Sequence, residues 1–134
     1  MGPIYDGAPW GSSITEAIIE EGVTDICNSA FFGCGNLTKV TIANTVTNIR
    51  AHAFYACTSL KEISIPDSVT NISYFAFSGC TFLEKVKLSN NLTTISDSLF
   101  RNCNFLKDIT INMFQAADLI SFFGVKVKGE YGDS

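Results

Sequence analysis

Metal binding, disulfide formation and thiol reactivity are the chemistries this chain puts forward first, because Cys34, Cys57, Cys80 and Cys103 recur at one spacing of 23 residues. Each closes the frame A-F-x-x-C, with Leu99 replacing Ala in the last. A metal site needs convergent ligands, often supplied as C-x-x-C pairs. No such pair occurs, and His52 is the only histidine. A disulfide needs Cβ atoms about 3.5–4.5 Å apart, whereas equivalent residues on adjacent strands stand about 4.8 Å apart. The column therefore reads as a ladder of buried thiols acting as small hydrophobic side chains. Cys27 differs. Its column holds Arg50, Ser73 and Ser96, so it is expected to be exposed and open to oxidation or to crosslinking of two copies.

Catalysis finds no other foothold. There is no G-x-S-x-G, no phosphate-cradling glycine loop and no carboxylate pair outside repeating surface columns. Neither enzyme activity, nor a cofactor, nor a metal is expected. Asn36, Asn71 and Asn91 head formal glycosylation sequons, which arise readily in a repeat rich in Thr and Asn.

The elements that hold these columns repeat with them. The frames VTDI, VTNI, VTNI and LTTI begin at Val23, Val46, Val69 and Leu92, with no insertion between them. Each is followed by A-F-x-x-C-x-x-L-x-x-V-x-I, giving four units over residues 23–114. A unit this short cannot bury its own apolar side and must stack on its neighbours. The end of L-x-x-V-x-I alternates with the strand period, so Leu37, Val40 and Ile42 point inward, as do Leu60, Ile63 and Ile65 one rung on. The A-F-x-x-C stretch is too short for a regular helix and predicts a helical or 3₁₀ turn opposite the strands. Phe31, Phe54, Phe77 and Phe100 form an aromatic ladder, with Ala30, Ala53 and Ala76 fitting the tight turn beside it.

An open solenoid exposes apolar edges that its ends must cover. Residues 1–22 read as an N-terminal cap with a half rung, Ala17 and Ile19 in register with Val40 and Ile42, and Trp10 as a lid. Residues 115–134 read as a helix-plus-strand cap: FQAADLISFFG has helical spacing and VKVKG alternates.

The pattern resembles the leucine-rich-repeat proteins of the BspA-like, or Treponema pallidum, type. AFYACTSLKEISIPDSVTNI carries the likeness almost letter for letter, and YDGAPWGSSITEAIIEEGVTDI is similar to the leading cap of secreted bacterial members. The last unit departs from it, with Leu99 and with NMF in place of a Pro-containing turn. The resemblance implies an α/β solenoid, a right-handed superhelix of four repeats with a parallel sheet on one face and short turns opposite. It also implies an extracellular or cell-surface bacterial protein that mediates adhesion or recognition.

Recognition then falls to outward columns of the sheet. One reads Lys39, Glu62, Lys85, Asp108; its neighbour reads Thr38, Lys61, Glu84, Lys107. Signs alternate, so adjacent rungs are expected to pair opposite charges, either as a self-neutralised face or as register pins. Thr41, Ser64, Lys87 and Thr110 complete a polar surface suited to a protein or glycan ligand. Phe82 and Phe105 replace Asn36 and Ser59 in an outward column. They form either an exposed contact patch or a pair packed under the C-terminal cap with Phe122 or Phe123. The second functional expectation is weak self-association as a structural scaffold, through exposed ends or these aromatics.

Bulk properties narrow the partners. A chain of 134 residues suits one domain, and 46% hydrophobic against 16% charged residues excludes a disordered polyampholyte. A net charge of −4 disfavours nucleic acid. No apolar run approaches the roughly 18 residues of a membrane span. The start MGPIYDGAPWGSS has neither the basic nor the apolar segment of a signal peptide.

Overall fold

A short strand leaves its backbone N–H and C=O groups open along both edges, and in this chain the copy of that strand 23 residues away closes them. A computed structural model describes residues 10–112 together with Gln115 and Ala116. The chain winds as a β-solenoid of parallel rungs. Strands β1 (Glu16–Ile19), β3 (Lys39–Ile42), β5 (Glu62–Ser64), β7 (Lys85–Lys87) and β8 (Asp108–Thr110) line one face. Their registers fall at the repeat spacing: Ala17 opposite Val40, Ile63 opposite Val86, Val86 opposite Ile109.

The side opposite holds more than the expected turns. Strands β2 (Asp25–Ile26), β4 (Asn48–Ile49) and β6 (Asn71–Ile72) form a second parallel ladder from the V-T-x-I frames. Helix is minimal: the one bounded helix among the described residues is a 3₁₀ turn, Gly11–Ser13. The A-F-x-x-C segments are chains of turns closed locally, as from Cys34 N–H to Phe31 O at 3.1 Å. Each turn also bonds across rungs, as from Phe31 N–H to Ala53 O at 2.7 Å and Phe54 N–H to Ala76 O at 2.8 Å. Cross-rung bonding removes any need for helix here. The backbone instead takes left-handed conformations in two columns, Ser29, His52 and Phe75 (φ 58–60°), then Gly33, Ala56, Gly79 and Asn102 (φ 59–76°). Glycine suits the second column because it takes a positive φ without strain, as at Gly33 and Gly79.

The core is a set of columns stacked on their own copies. Phe31, Phe54, Phe77 and Phe100 stack with centroids 5.1, 5.2 and 6.1 Å apart, and Trp10 lies 5.5 Å from Phe31 above the first rung. Each stacked pair contributes about 0.5–1.5 kcal/mol beyond its area burial. Leu37, Leu60 and Leu83 are fully enclosed beside them. Cys34, Cys57, Cys80 and Cys103 are buried and free of disulfides. They are not inert filler, as the sequence suggested. Cys57 Sγ donates to Phe31 O at 3.2 Å, Cys80 Sγ to Phe54 O at 3.1 Å and Cys103 Sγ to Phe77 O at 3.1 Å, so the thiols fasten the turns of successive rungs.

The strand face is discontinuous. β1 pairs with β3, and β7 with both β5 and β8, but β3 and β5 are not hydrogen-bonded neighbours. The expected C-terminal cap lies outside the described residues apart from Gln115 and Ala116. Gln115 anchors the last rung, its Nε2 donating to Ser89 O at 2.7 Å and Leu92 O at 3.1 Å.

Thiol donation orders the effects of substitution. In urea melts, Cys80→Ser, which keeps a donor, should stay within about 1 kcal/mol of wild type. Cys80→Val, which removes the donor and adds bulk, should cost about 1–3 kcal/mol. The reverse order would return the thiols to the role of hydrophobic filler.

Candidate functional site

Strand pleating turns Lys39, Glu62, Lys85 and Asp108 outward in one column, and Thr41, Ser64, Lys87 and Thr110 outward in the next. All eight are exposed. Glu62 stands opposite Lys85, and Lys85 opposite Asp108. Opposition does not become ion pairing. Among the described residues, Glu62, Lys85 and Asp108 make no salt bridge, while Lys39 pairs with Glu16 at 3.9 Å and Lys107 with Glu84 at 3.6 Å. The expected cross-rung pairing therefore holds for Glu84 with Lys107 and is corrected for Glu62 with Lys85 and Lys85 with Asp108. Strands of three or four residues aim long side chains into solvent, where holding two of them in one geometry costs more entropy than the screened attraction returns.

Phe82 and Phe105 stack with centroids 5.3 Å apart and planes 9° from parallel. They are 50% and 56% exposed, so the outward orientation holds; the expected alternative, packing with Phe122 or Phe123, falls on residues outside the described ones. Higher in the same column, Ser59 Oγ donates to Gly35 O and Asn36 Nδ2 to Ser12 O at 2.9 Å. Two rungs therefore carry polar inter-rung ties, and the next two carry a solvent-facing aromatic step.

Sequence reading missed a second aromatic group. On the turn side, His52 stacks on Phe75 at 5.3 Å and meets Tyr74 edge-on at 6.0 Å, while Phe32 stacks on Tyr55 at 4.8 Å. Arg101 lies 5.7 Å over Phe75. These residues share columns 23 apart (Phe32 with Tyr55, His52 with Phe75), a signal passed over because only the apolar core columns were aligned.

Electrostatic shifts fall on the Asp25–Arg50 pair and on the buried thiols. Asp25 is held below the usual carboxylate range by hydrogen bonding from Arg50, with Asn48 adding to it, on an exposed surface. Burial pushes the Cys34 thiol up, a Trp10 hydrogen bond pulling the other way. Hydrogen bonding to Cys57, then burial, raises Cys80, and burial, with the neighbouring Cys80, pushes Cys103 up to about 12. No group of three or more His, Cys, Asp or Glu side chains suited to a metal occurs among the described residues. Among them, too, no helix is long and apolar enough to cross a membrane.

A family model for the BspA type leucine rich repeat region matches residues 4–124 in six copies. The chain belongs to this family. β1 supplies one rung beyond the four complete units, in keeping with the higher copy number. Among solved structures, the pneumococcal vaccine antigen PcpA aligns with a TM-score of 0.69 at 25% identity, over 75% of this chain and 26% of that one. A leucine-rich repeat protein from Eubacterium ventriosum aligns at 0.59 and 29% identity, over 72% of this chain and 32% of that one. The Treponema pallidum leucine-rich repeat protein aligns at 0.59 over 92% of this chain and 75% of that one, and at 21% identity it speaks for the fold alone. This chain thus spans about a quarter to a third of the first two. A search of curated proteins gives no match. BspA-type repeats are generally binding modules rather than enzymes.

Thiol chemistry is checkable directly. Native protein titrated with a thiol-reactive probe should show one reactive cysteine, Cys27, and four more on unfolding. A raised folded pKa means stability that is complete below the unfolded thiol value and lost as pH climbs. The melting temperature should therefore fall from about pH 9 upward as Cys80 and Cys103 ionise in the unfolded chain.

Proposed function

We propose that this chain is a non-enzymatic binding module of a secreted or surface-displayed bacterial protein, with residues 1–22 and 115–134 as its caps. It docks a protein or glycan partner through the outward face of the sheet: Lys39, Thr41, Glu62, Ser64, Lys85, Lys87, Asp108 and Thr110, with Phe82 and Phe105. The observation that carries this is the stacked, half-exposed Phe82–Phe105 pair on the same face as Glu62, Lys85 and Asp108, which make no salt bridge among the described residues. Exposed aromatics of this kind become binding hot spots when a partner desolvates them. The vaccine-antigen description of PcpA, a protein this chain resembles over part of its length, supports the surface assignment.

Self-association is the second reading. Among the described residues β1 has a strand neighbour on one side only, and Ile18 on it is 63% exposed, which offers a second copy an edge and an apolar contact. Light scattering across concentration separates the two, since a persistent monomer removes the second.

Labelled protein applied to a glycan array and to purified extracellular-matrix proteins tests the first. Phe82→Ser and Lys87→Glu, each with wild-type circular dichroism, should weaken the recovered interaction at least about tenfold. Binding indifferent to both substitutions would remove this surface from the proposal.

A further inference from the structure

One rung boundary is unlike the others. The bonds that bracket the paired strands show what is lost between β3 and β5. Thr38 N–H donates to Thr15 O at 2.8 Å, Glu84 N–H to Lys61 O at 2.8 Å and Lys107 N–H to Glu84 O at 3.0 Å. Among the described residues, Lys61 makes no such bond to Thr38. Beyond the strand, Ala43 N–H donates to Ile19 O at 3.0 Å, but its counterpart one rung on is Pro66, which has no N–H to give. The following turn separates too. Thr45 Oγ1 accepts from Gly22 N–H at 3.1 Å and donates to Val23 O at 2.8 Å. Its counterpart Ser68 has a buried Oγ with no partner among the described residues.

The same two repeats stay joined elsewhere, through β4 and β6 and through Phe54 N–H to Ala76 O. The opening is therefore a local cleft rather than a boundary between folding units. It is open to solvent and has a volume of about 710 Å³, within the range of small-molecule sites. Val40, Ile42 and Pro66 give it apolar walls, and Asn44, Asp67, Ser68 and Lys87 contribute polar groups.

This lining discriminates among ligands. A bound phosphate calls for several cationic or N–H donors and a divalent cation for several carboxylates. Lys87 and Asp67 are single and opposite in sign among the described lining residues. Asn44, Asp67, Ser68 and the open backbone edges of β3 and β5 mix donors with acceptors, as a hydroxyl-bearing ring requires. We propose that the β3–β5 cleft is a binding site for a neutral saccharide, with Ser68, Asp67 and Asn44 hydrogen-bonding its hydroxyls and Val40, Ile42 and Pro66 packing its apolar face. This deepens the proposed binding role and rests on it in sharing Thr41, Ser64 and Lys87 with that surface, while Asn44, Asp67 and Ser68 are its own.

The test is an amide-shift titration of ¹⁵N-labelled full chain with maltose, lactose and diacetylchitobiose at millimolar concentrations. At least one sugar should shift the amides of residues 40–45, 64, 65, 67 and 68 saturably. Ser68→Ala and Asn44→Ala should each weaken that binding about tenfold. Ser68→Ala should also raise the melting temperature of the free protein, because it removes a buried unpaired hydroxyl, whereas a merely structural serine would be missed. Phe82→Ser should leave the titration unchanged, so failure of the aromatic docking surface and failure of this site are told apart. The proposal is overturned if no sugar shifts these amides, if the shifts fall elsewhere, or if Ser68→Ala and Asn44→Ala leave affinity intact. Parallel arms with sodium phosphate and calcium chloride overturn it if either salt perturbs the cleft and no sugar does.

Discussion

Every rung in this protein is hydrogen-bonded to a translated copy of itself, and this constraint governs the rest of the structure. The bonds between rungs join residues 20–26 apart in sequence, whether from strand, turn, hydroxyl or thiol. A side chain's nearest neighbour is thus its own column mate. Chemistry that tolerates a copy of itself is retained: rings stack on rings, and Thr47 Oγ1 donates to the carbonyl of Thr24. The thiol column fits the same rule, since Sγ is small enough to stack and still able to donate to the carbonyl of the preceding rung.

Translation also fixes which residues the turns must accept. Left-handed backbone recurs at Ser29, His52 and Phe75, although only glycine adopts it freely. The strain is borne because neighbouring rungs over-determine the turn through bonds such as His52 N–H to Tyr74 O at 3.3 Å. Holding bulky residues there brings His52, Tyr55, Tyr74 and Phe75 together at the surface.

Much of this was legible in the sequence because the period is unbroken. Strand positions, inward columns, the Phe ladder, the register of Ala17 with Val40 and the exposure of Cys27 all follow from alignment of the copies. The β2–β4–β6 ladder was not legible, since two-residue strands carry too little alternation to be told from a turn. Thiol donation was hidden for another reason: burial pattern identifies a small apolar-looking column but not the carbonyl it faces. Charge alternation over-predicted ion pairs, because column order gives proximity and not the entropy of two exposed side chains. Pro66 was visible, yet its effect depends on Ala43 donating one rung earlier, a relation that only the backbone bonds reveal.

In a solenoid, stability is close to a sum of repeat terms and nearest-neighbour interfaces. Weakening one interface along part of its length therefore leaves the rungs on either side intact, as β1–β3 and β5–β7–β8 show. A closed globule tolerates such a gap poorly, because its core contacts are shared among many elements. The repeat can accordingly hold a polar opening at Pro66 and Ser68 and an exposed aromatic step at Phe82 and Phe105, each a departure from its own column. Columns that repeat faithfully have their bonding met by the next rung and have little left to offer a ligand. Departures from the column leave groups that the neighbouring rung does not satisfy, and both proposed binding sites are drawn from them.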